Sequence, residues 1–121
     1  MDWAFADFRD RMSRGAASMG WIRLSSERFA AHIETDGVVV INVHVPDQGS
    51  IKGTDFAIPY TDIVRSASLP ADRATQIAVY CRSGLMSTIA ARVLAAAGYC
   101  NVTELKGGMD AWCADGRPVL G

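Results

Sequence analysis

A single α/β domain, with a central parallel sheet of about five strands and helices on both of its faces, follows from three features of the 121-residue chain. Residues 38–43 (Val38-Val-Val-Ile-Asn-Val43) and 76–80 (Gln76-Ile-Ala-Val-Tyr80) are short and almost continuously apolar, the pattern of strands covered on both faces. Segments of helical period lie between the strand-like runs, so successive strands need crossovers and run parallel. Turn signals at Asp36-Gly37, Gly98 and Gly107-Gly108 fall where one period gives way to the other.

Taken from the N-terminus, residues 1–20 carry Trp3, Ala4, Phe8 and Met12 close to one helical stripe and stop at Gly15 and Gly20. This predicts an N-terminal helical extension that packs as a flap on a main domain of residues 21–121. Residues 21–24 read as a short strand. Ser25 or Ser26 then caps a helix over 27–34, whose Phe29, Ala30 and Ile33 share a face. His32 on that helix is expected at the surface. After Asp36-Gly37 comes the strand 38–43, which ends beside His44, expected to be a hydrogen-bonded structural histidine. Pro46-Asp47-Gln48-Gly49 breaks the pattern; residues 55–58 predict a short strand and 60–65 a short helix behind Pro59. The strand 76–80 is followed by a helix over 88–97 that Gly98 ends, a last strand at 102–105, and a final helix from 109 to 114 closed by Asp115-Gly116-Arg117-Pro118. Tyr99 and Trp112 are expected in the core.

Half the residues are hydrophobic and 21% are charged, a balance that suits a folded domain rather than a disordered chain. The formal net charge of −1 provides no bulk field for nucleic acid or an anionic membrane, so neither is expected as a partner. The longest apolar stretches are too short or too polar to cross a bilayer, and the first twelve residues lack the apolar core of a signal peptide. A cytoplasmic location is expected. Three cysteines, at 81, 100 and 113, cannot all pair internally and show no CxxC spacing, which predicts free thiols in a reducing compartment and no metal site. Cys100 and Cys113 read as packing or surface residues.

Cys81 stands apart because it closes a buried strand and opens the loop Cys81-Arg82-Ser83-Gly84-Leu85-Met86-Ser87 ahead of a helix. Free backbone N–H groups and the helix dipole favour an anion at that place, and the thiolate is the nucleophilic form of cysteine. Cys81 is therefore the candidate catalytic nucleophile and the six residues after it the candidate substrate-binding loop. Gly84 turns the chain without a Cβ penalty and lets amides converge into an anion nest. Ser83, Ser87 and Thr88 hydroxyls are expected to add donors, and Arg82 to steer an anionic substrate to the mouth.

Three segments together resemble the single-domain rhodaneses, the sulfurtransferase family. Tyr80-Cys81-Arg82-Ser83-Gly84-Leu85-Met86-Ser87 is similar to the active-site loop, Gly53-Thr54-Asp55-Phe56-Ala57-Ile58-Pro59 to the Gly-to-Ile-Pro segment, and Leu105-Lys106-Gly107-Gly108-Met109-Asp110-Ala111-Trp112 to the Gly-Gly-x-x-Ala-Trp signature. The resemblance runs from about Trp21 to the C-terminus. It implies transfer of sulfane sulfur, from a small anionic donor such as thiosulfate, through a Cys81 persulfide. The acceptor is cyanide in an assay and a thiol or a sulfur-accepting protein in the cell, with no metal or organic cofactor. The alternative within the same resemblance is a persulfide carrier or partner-docking domain with little small-molecule turnover.

Three departures from the family pattern bear on the substrate. Met86 stands where many members have arginine, Asn42-Val43-His44 where Asp-Val-Arg is common, and Ser50-Ile51-Lys52-Gly53 where His-Ile-Pro-Gly is common. A more apolar pocket wall at Met86 is expected, and the absence of an acid at 42 and a base at 86 reads as one compensated change. Phosphatases that raise a cysteine over an anion nest have an arginine six positions after it to grip phosphate oxygens. Here that position is Ser87, so a phosphate ester is expected to be held poorly.

Overall fold

The computed structural model describes residues 20–44 and 49–120. The helical extension expected at 1–20 therefore lies, except for Gly20, outside the described residues, as do Pro46, Asp47 and Gln48.

Five strands form one sheet: β1 (Trp21–Leu24), β2 (Val38–Asn42), β3 (Phe56–Ala57), β4 (Gln76–Tyr80) and β5 (Val102–Leu105), in the order β1-β5-β4-β2-β3. Every pairing is parallel. The connections contain the helices α1 (Ser26–Ile33) and α2 (Leu85–Ala96) and a 3-10 turn at Ile63–Arg65, and a third helix, α3 (Gly108–Ala114), follows β5.

Strand alternation sorts the core into two layers. Ile77 and Val79 of β4 join Ile41, Val43 and Val102 against Ala90, Ala91 and Leu94 of α2. Ala78 and Tyr80 point the other way and join Val40 and Leu105 against Phe29 of α1 and Trp112 of α3. Both faces of β2 and β4 are thus covered, which is why their sequences are apolar without alternation. On the second face, Phe29 meets the rings of Tyr80 and Trp112 edge-on at centroid distances of 6.3 and 6.4 Å. The Tyr80 hydroxyl accepts from the Ile51 amide (3.0 Å) and shares a hydrogen bond with Thr54 Oγ1 (2.8 Å). One core side chain thereby ties the loop between β2 and β3 to the centre of the sheet.

Several boundaries differ from the sequence reading for identifiable reasons. Of residues 55–58, only Phe56 and Ala57 form a strand: β3 is an edge strand with a single neighbour, and Asp55 engages Val40 partly through its carboxylate (2.8 Å) rather than through a ladder. The helix expected at 60–65 contracts to Ile63–Arg65. Ser25, not Ser26, is the N-cap of α1, its hydroxyl accepting from the Arg28 amide at 3.3 Å.

His32 is half-buried rather than on the surface, and its Nε2 has no hydrogen-bond partner among the described residues. Burial disfavours the imidazolium and lowers its pKa. The unfolded chain, in which a histidine protonates near pH 6.5, then binds the proton more readily than the folded one. This contribution to stability is complete above about pH 6.5 and is lost as the pH falls below it. Urea midpoints measured between about pH 7.5 and 5.5 are expected to fall more for the native chain than for His32→Leu; parallel curves would exclude His32 as the cause.

Candidate active site

Cys81 follows directly on β4, at the carboxyl end of the sheet, where ligands of open α/β sheets bind. Its neighbour across the loop is Gly84, whose φ of +104° only glycine adopts without strain. That one residue reverses the chain and starts α2 at Leu85, three residues before the expected start at Thr88. As the N-cap of α2, Gly84 has no side chain with which to satisfy the first amides. The Cys81 sulfur does so instead: the amides of Gly84 and Ser87 donate to Sγ at 3.0 and 3.3 Å. A sulfur acceptor thus occupies the place that a serine or aspartate oxygen takes at an ordinary helix start.

Around this pair of amides the loop closes, leaving Cys81 about 1% exposed. Ser83 and Leu85 lie on the outside, Leu85 with 71% of its surface exposed. Met86 is half-buried and packs on the α2-side core, so it forms an apolar flank. Arg82 also lies outside, with Nε 3.4 Å from the Asp110 carboxylate of α3. The cation expected to steer an anion is therefore partly offset by an acid.

Ser87 differs from its expected role. Its amide does face the sulfur, but its hydroxyl donates to Glu104 Oε2 at 2.5 Å, and Oγ lies 3.4 Å from Cys81 Sγ on the accepting side. Glu104 sits in β5, fully buried. Its second oxygen accepts from Arg23 Nε of β1 at 2.8 Å, and Thr88 Oγ1 lies 2.9 Å from Oε2 and 2.7 Å from the Gly84 carbonyl oxygen. A carboxylate thus braces the underside of the loop. The sequence reading missed both Glu104 and Arg23. A signal existed: an acid inside the short strand 102–105 and a base inside β1, which the sheet register sets side by side.

On the other side of the loop, two adjacent α3 amides hold its first carbonyls: Met109 N–H donates to Cys81 O at 2.8 Å and Asp110 N–H to Arg82 O at 2.9 Å. Gly108 permits this approach, because a Cβ on it would lie 2.4 Å from Cys81 O. The Gly107-Gly108 pair is thus the means by which α3 clamps the nucleophile loop.

Beside the clamp is a cleft of about 310 Å³ lined by Asn42, His44, Arg82, Met109, Asp110 and Cys113 among others. Asn42 Nδ2 donates to the Gly49 carbonyl (2.9 Å) and Oδ1 accepts from the His44 amide (3.0 Å), fixing the turn after β2. Because Ile41 and Val43 point to the α2 side, Asn42 faces the opposite layer from Met86. This corrects the expectation that positions 42 and 86 changed as a compensated pair. In a cycle of Met86→Arg and Asn42→Asp, effects on sulfur-transfer kinetics are expected to add within about 0.5 kcal/mol; a larger coupling would restore the pairing. Cys81, Cys100 and Cys113 are all free thiols, Cys100 half-buried and Cys113 exposed.

Residues 22–115 match the model of the rhodanese-like domain. A sulfurtransferase of Allochromatium vinosum is 32% identical over 98 residues, covering 78% of this chain and 87% of the relative. Among solved structures, the rhodanese-like domain of an Anabaena protein superposes with a TM-score of 0.71 at 29% identity, covering 82% of this chain and 78% of that one. A rhodanese-related protein of Thermoplasma volcanium gives a TM-score of 0.68 at 25% identity, covering 81% and 96%. With the sulfur cradle and its supports in place, and with most of the chain matched, the protein belongs to the rhodanese-like sulfurtransferase family.

Proposed function

We propose that this protein moves sulfane sulfur from a small anionic donor such as thiosulfate to a thiophilic acceptor through a persulfide on Cys81. The observation that carries this reading is the Cys81 sulfur receiving two backbone N–H groups at the start of α2. Those donors are fixed before reaction, so they favour negative charge on sulfur without reorganising.

In the first half-reaction the Cys81 thiolate attacks the terminal sulfur of the donor. The donor's S–S bond breaks, its electron pair leaves with sulfite, and Cys81 carries the persulfide. In the second, an acceptor attacks the outer sulfur and the thiolate is restored. The acceptor is cyanide in an assay and a thiol or a sulfur-accepting protein in the cell. Electrons balance within each step, so no cofactor takes part. A cysteine only about 1% exposed suits a donor whose reacting sulfur is terminal, and the free cysteines suit a reducing compartment, the cytoplasm.

Incubation with thiosulfate, polysulfide or a low-molecular-weight persulfide, followed by intact-mass measurement, is expected to show one added sulfur atom on the native chain and none on Cys81→Ser. No gain from any of these donors would defeat the proposal. A gain without turnover to cyanide would make the protein a carrier rather than a small-molecule transferase.

A further inference from the structure

Glu104 is a fully buried ionisable group that the two half-reactions leave without a task. We propose that Ser87 and Glu104 form a proton relay that takes the proton of the Cys81 thiol, so that the nucleophile forms with almost no water at the sulfur. The inference rests on the sulfur-transfer reading only for the use to which the thiolate is put.

The geometry is a chain of hydrogen bonds. Cys81 Sγ lies 3.4 Å from Ser87 Oγ, and Ser87 Oγ lies 2.5 Å from Glu104 Oε2. Cys81, Ser87 and Glu104 are each at most 1% exposed. A hydroxyl has one proton to donate, and an ionised carboxylate can only accept. With Glu104 ionised, the Ser87 proton points at Oε2 and a Ser87 lone pair faces the thiol. In that arrangement the hydroxyl holds the thiol in its neutral form.

Moving two protons reverses this. The Sγ–H bond breaks as its proton passes to Ser87 Oγ, and the original Ser87 proton passes to Glu104 Oε2. Afterwards the sulfur is anionic and accepts from the Ser87 hydroxyl as well as from the amides of Gly84 and Ser87. Glu104 is then the neutral acid and donates to Ser87. The site keeps one negative charge throughout, shifted from a carboxylate to the nucleophile, while Arg23 stays on Oε1 at 2.8 Å. When the resting thiol re-forms, the same protons return.

The groups facing the carboxylate come from three elements. β1 contributes Arg23, the end of β4 contributes Cys81, and α2 contributes only the Ser87 and Thr88 hydroxyls, its Arg92 being exposed. Lys106, just beyond β5, is exposed, and Arg82 lies beside Asp110 on the outer side of the loop. Ser87 touches the reacting sulfur; Glu104 acts through it and is a positioning residue.

The test uses the full chain with Cys100→Ser and Cys113→Ser, so that alkylation by iodoacetamide, read by intact mass, reports Cys81 alone. Glu104→Gln keeps the size and the acceptor oxygen but cannot take the proton, and Ser87→Ala removes the bridge. With the relay, the alkylation rate of the parent is expected to hold a plateau at acid pH, where the proton passes within the site; in each variant it is expected to fall about tenfold for each unit of pH. Initial sulfur loading of Glu104→Gln at about pH 6 is expected to fall at least about tenfold, the deficit narrowing as the pH rises.

A merely structural role for Glu104 would change the unfolding midpoint and leave the plateau. Should Glu104→Gln not fold, Ser87→Ala decides the matter, since it leaves Arg23 and Thr88 on the carboxylate. No plateau in the parent protein, or a plateau retained in either variant, overturns the relay. The alkylation needs no sulfur donor, so failure of the relay is distinct from failure of sulfur transfer, which the mass gained from a donor reads.

Discussion

Gly108→Ala is expected to cost about 3–5 kcal/mol of stability and to reduce sulfur loading of Cys81 at least tenfold. Two effects combine. The residue has a φ of +60°, where an L side chain is strained by about 1–2 kcal/mol. In addition the new Cβ would lie 2.4 Å from Cys81 O and 2.5 Å from Arg82 O, both backbone atoms that cannot rotate away. Either α3 must retreat, breaking the Met109 and Asp110 amide bonds to the loop, or the loop must move with its sulfur. Gly37→Ala is the matched control, with a φ of +85° and nothing within 4 Å of its Cβ. It is expected to lose only the backbone term, about 1–2 kcal/mol, with loading unchanged. Urea unfolding and intact-mass kinetics on the two variants separate strain from collision. Equal losses would show that the clamp has no part in placing the nucleophile.

How much of this arrangement could be read from the chain depended on whether the physics was local. The strand 76–80 was legible to the residue because burial on both faces demands an almost wholly apolar run, and 21–24 and 102–105 were legible from the turn and cap signals that bound them. Cys81 was legible as well, since a cysteine between such a strand and a helix stands in a distinctive place. The start of α2 was not. Helix starts are recognised by an oxygen-bearing cap, and here the cap is a sulfur three residues upstream of a glycine.

Asn42 and Met86 show a different failure. Alternation along β2 places Asn42 on the face opposite Ile41 and Val43, whereas Met86 packs on the same side as those two, so an acid at 42 would not face a base at 86. Glu104 was hidden because an acid in a short strand reads as a solvent-facing residue. Only the register of β1 with β5 reveals its partner, and register is a tertiary property.

That partner leads to an asymmetric expectation. Arg23 is 46% exposed along its side chain while Glu104 is wholly buried, so the two ends of one ion pair differ in their access to water. Removing Arg23 leaves a buried carboxylate whose remaining side-chain partners are the Ser87 and Thr88 hydroxyls, an uncompensated charge. Arg23→Ala is therefore expected to cost about 3 kcal/mol at neutral pH, the lower end of the range for breaking a buried pair because solvent already reaches the arginine. Removing the charge from Glu104 instead leaves a guanidinium that can turn to water, so Glu104→Gln is expected to cost less than Arg23→Ala. It follows that the double variant should be more stable than Arg23→Ala alone, the second substitution relieving the first. Urea unfolding of the four proteins at one ionic strength closes this double-mutant cycle. If the double variant proved the least stable of the four, Glu104 would be held mainly by Ser87 and Thr88, and the carboxylate beneath the nucleophile loop would not depend on its arginine.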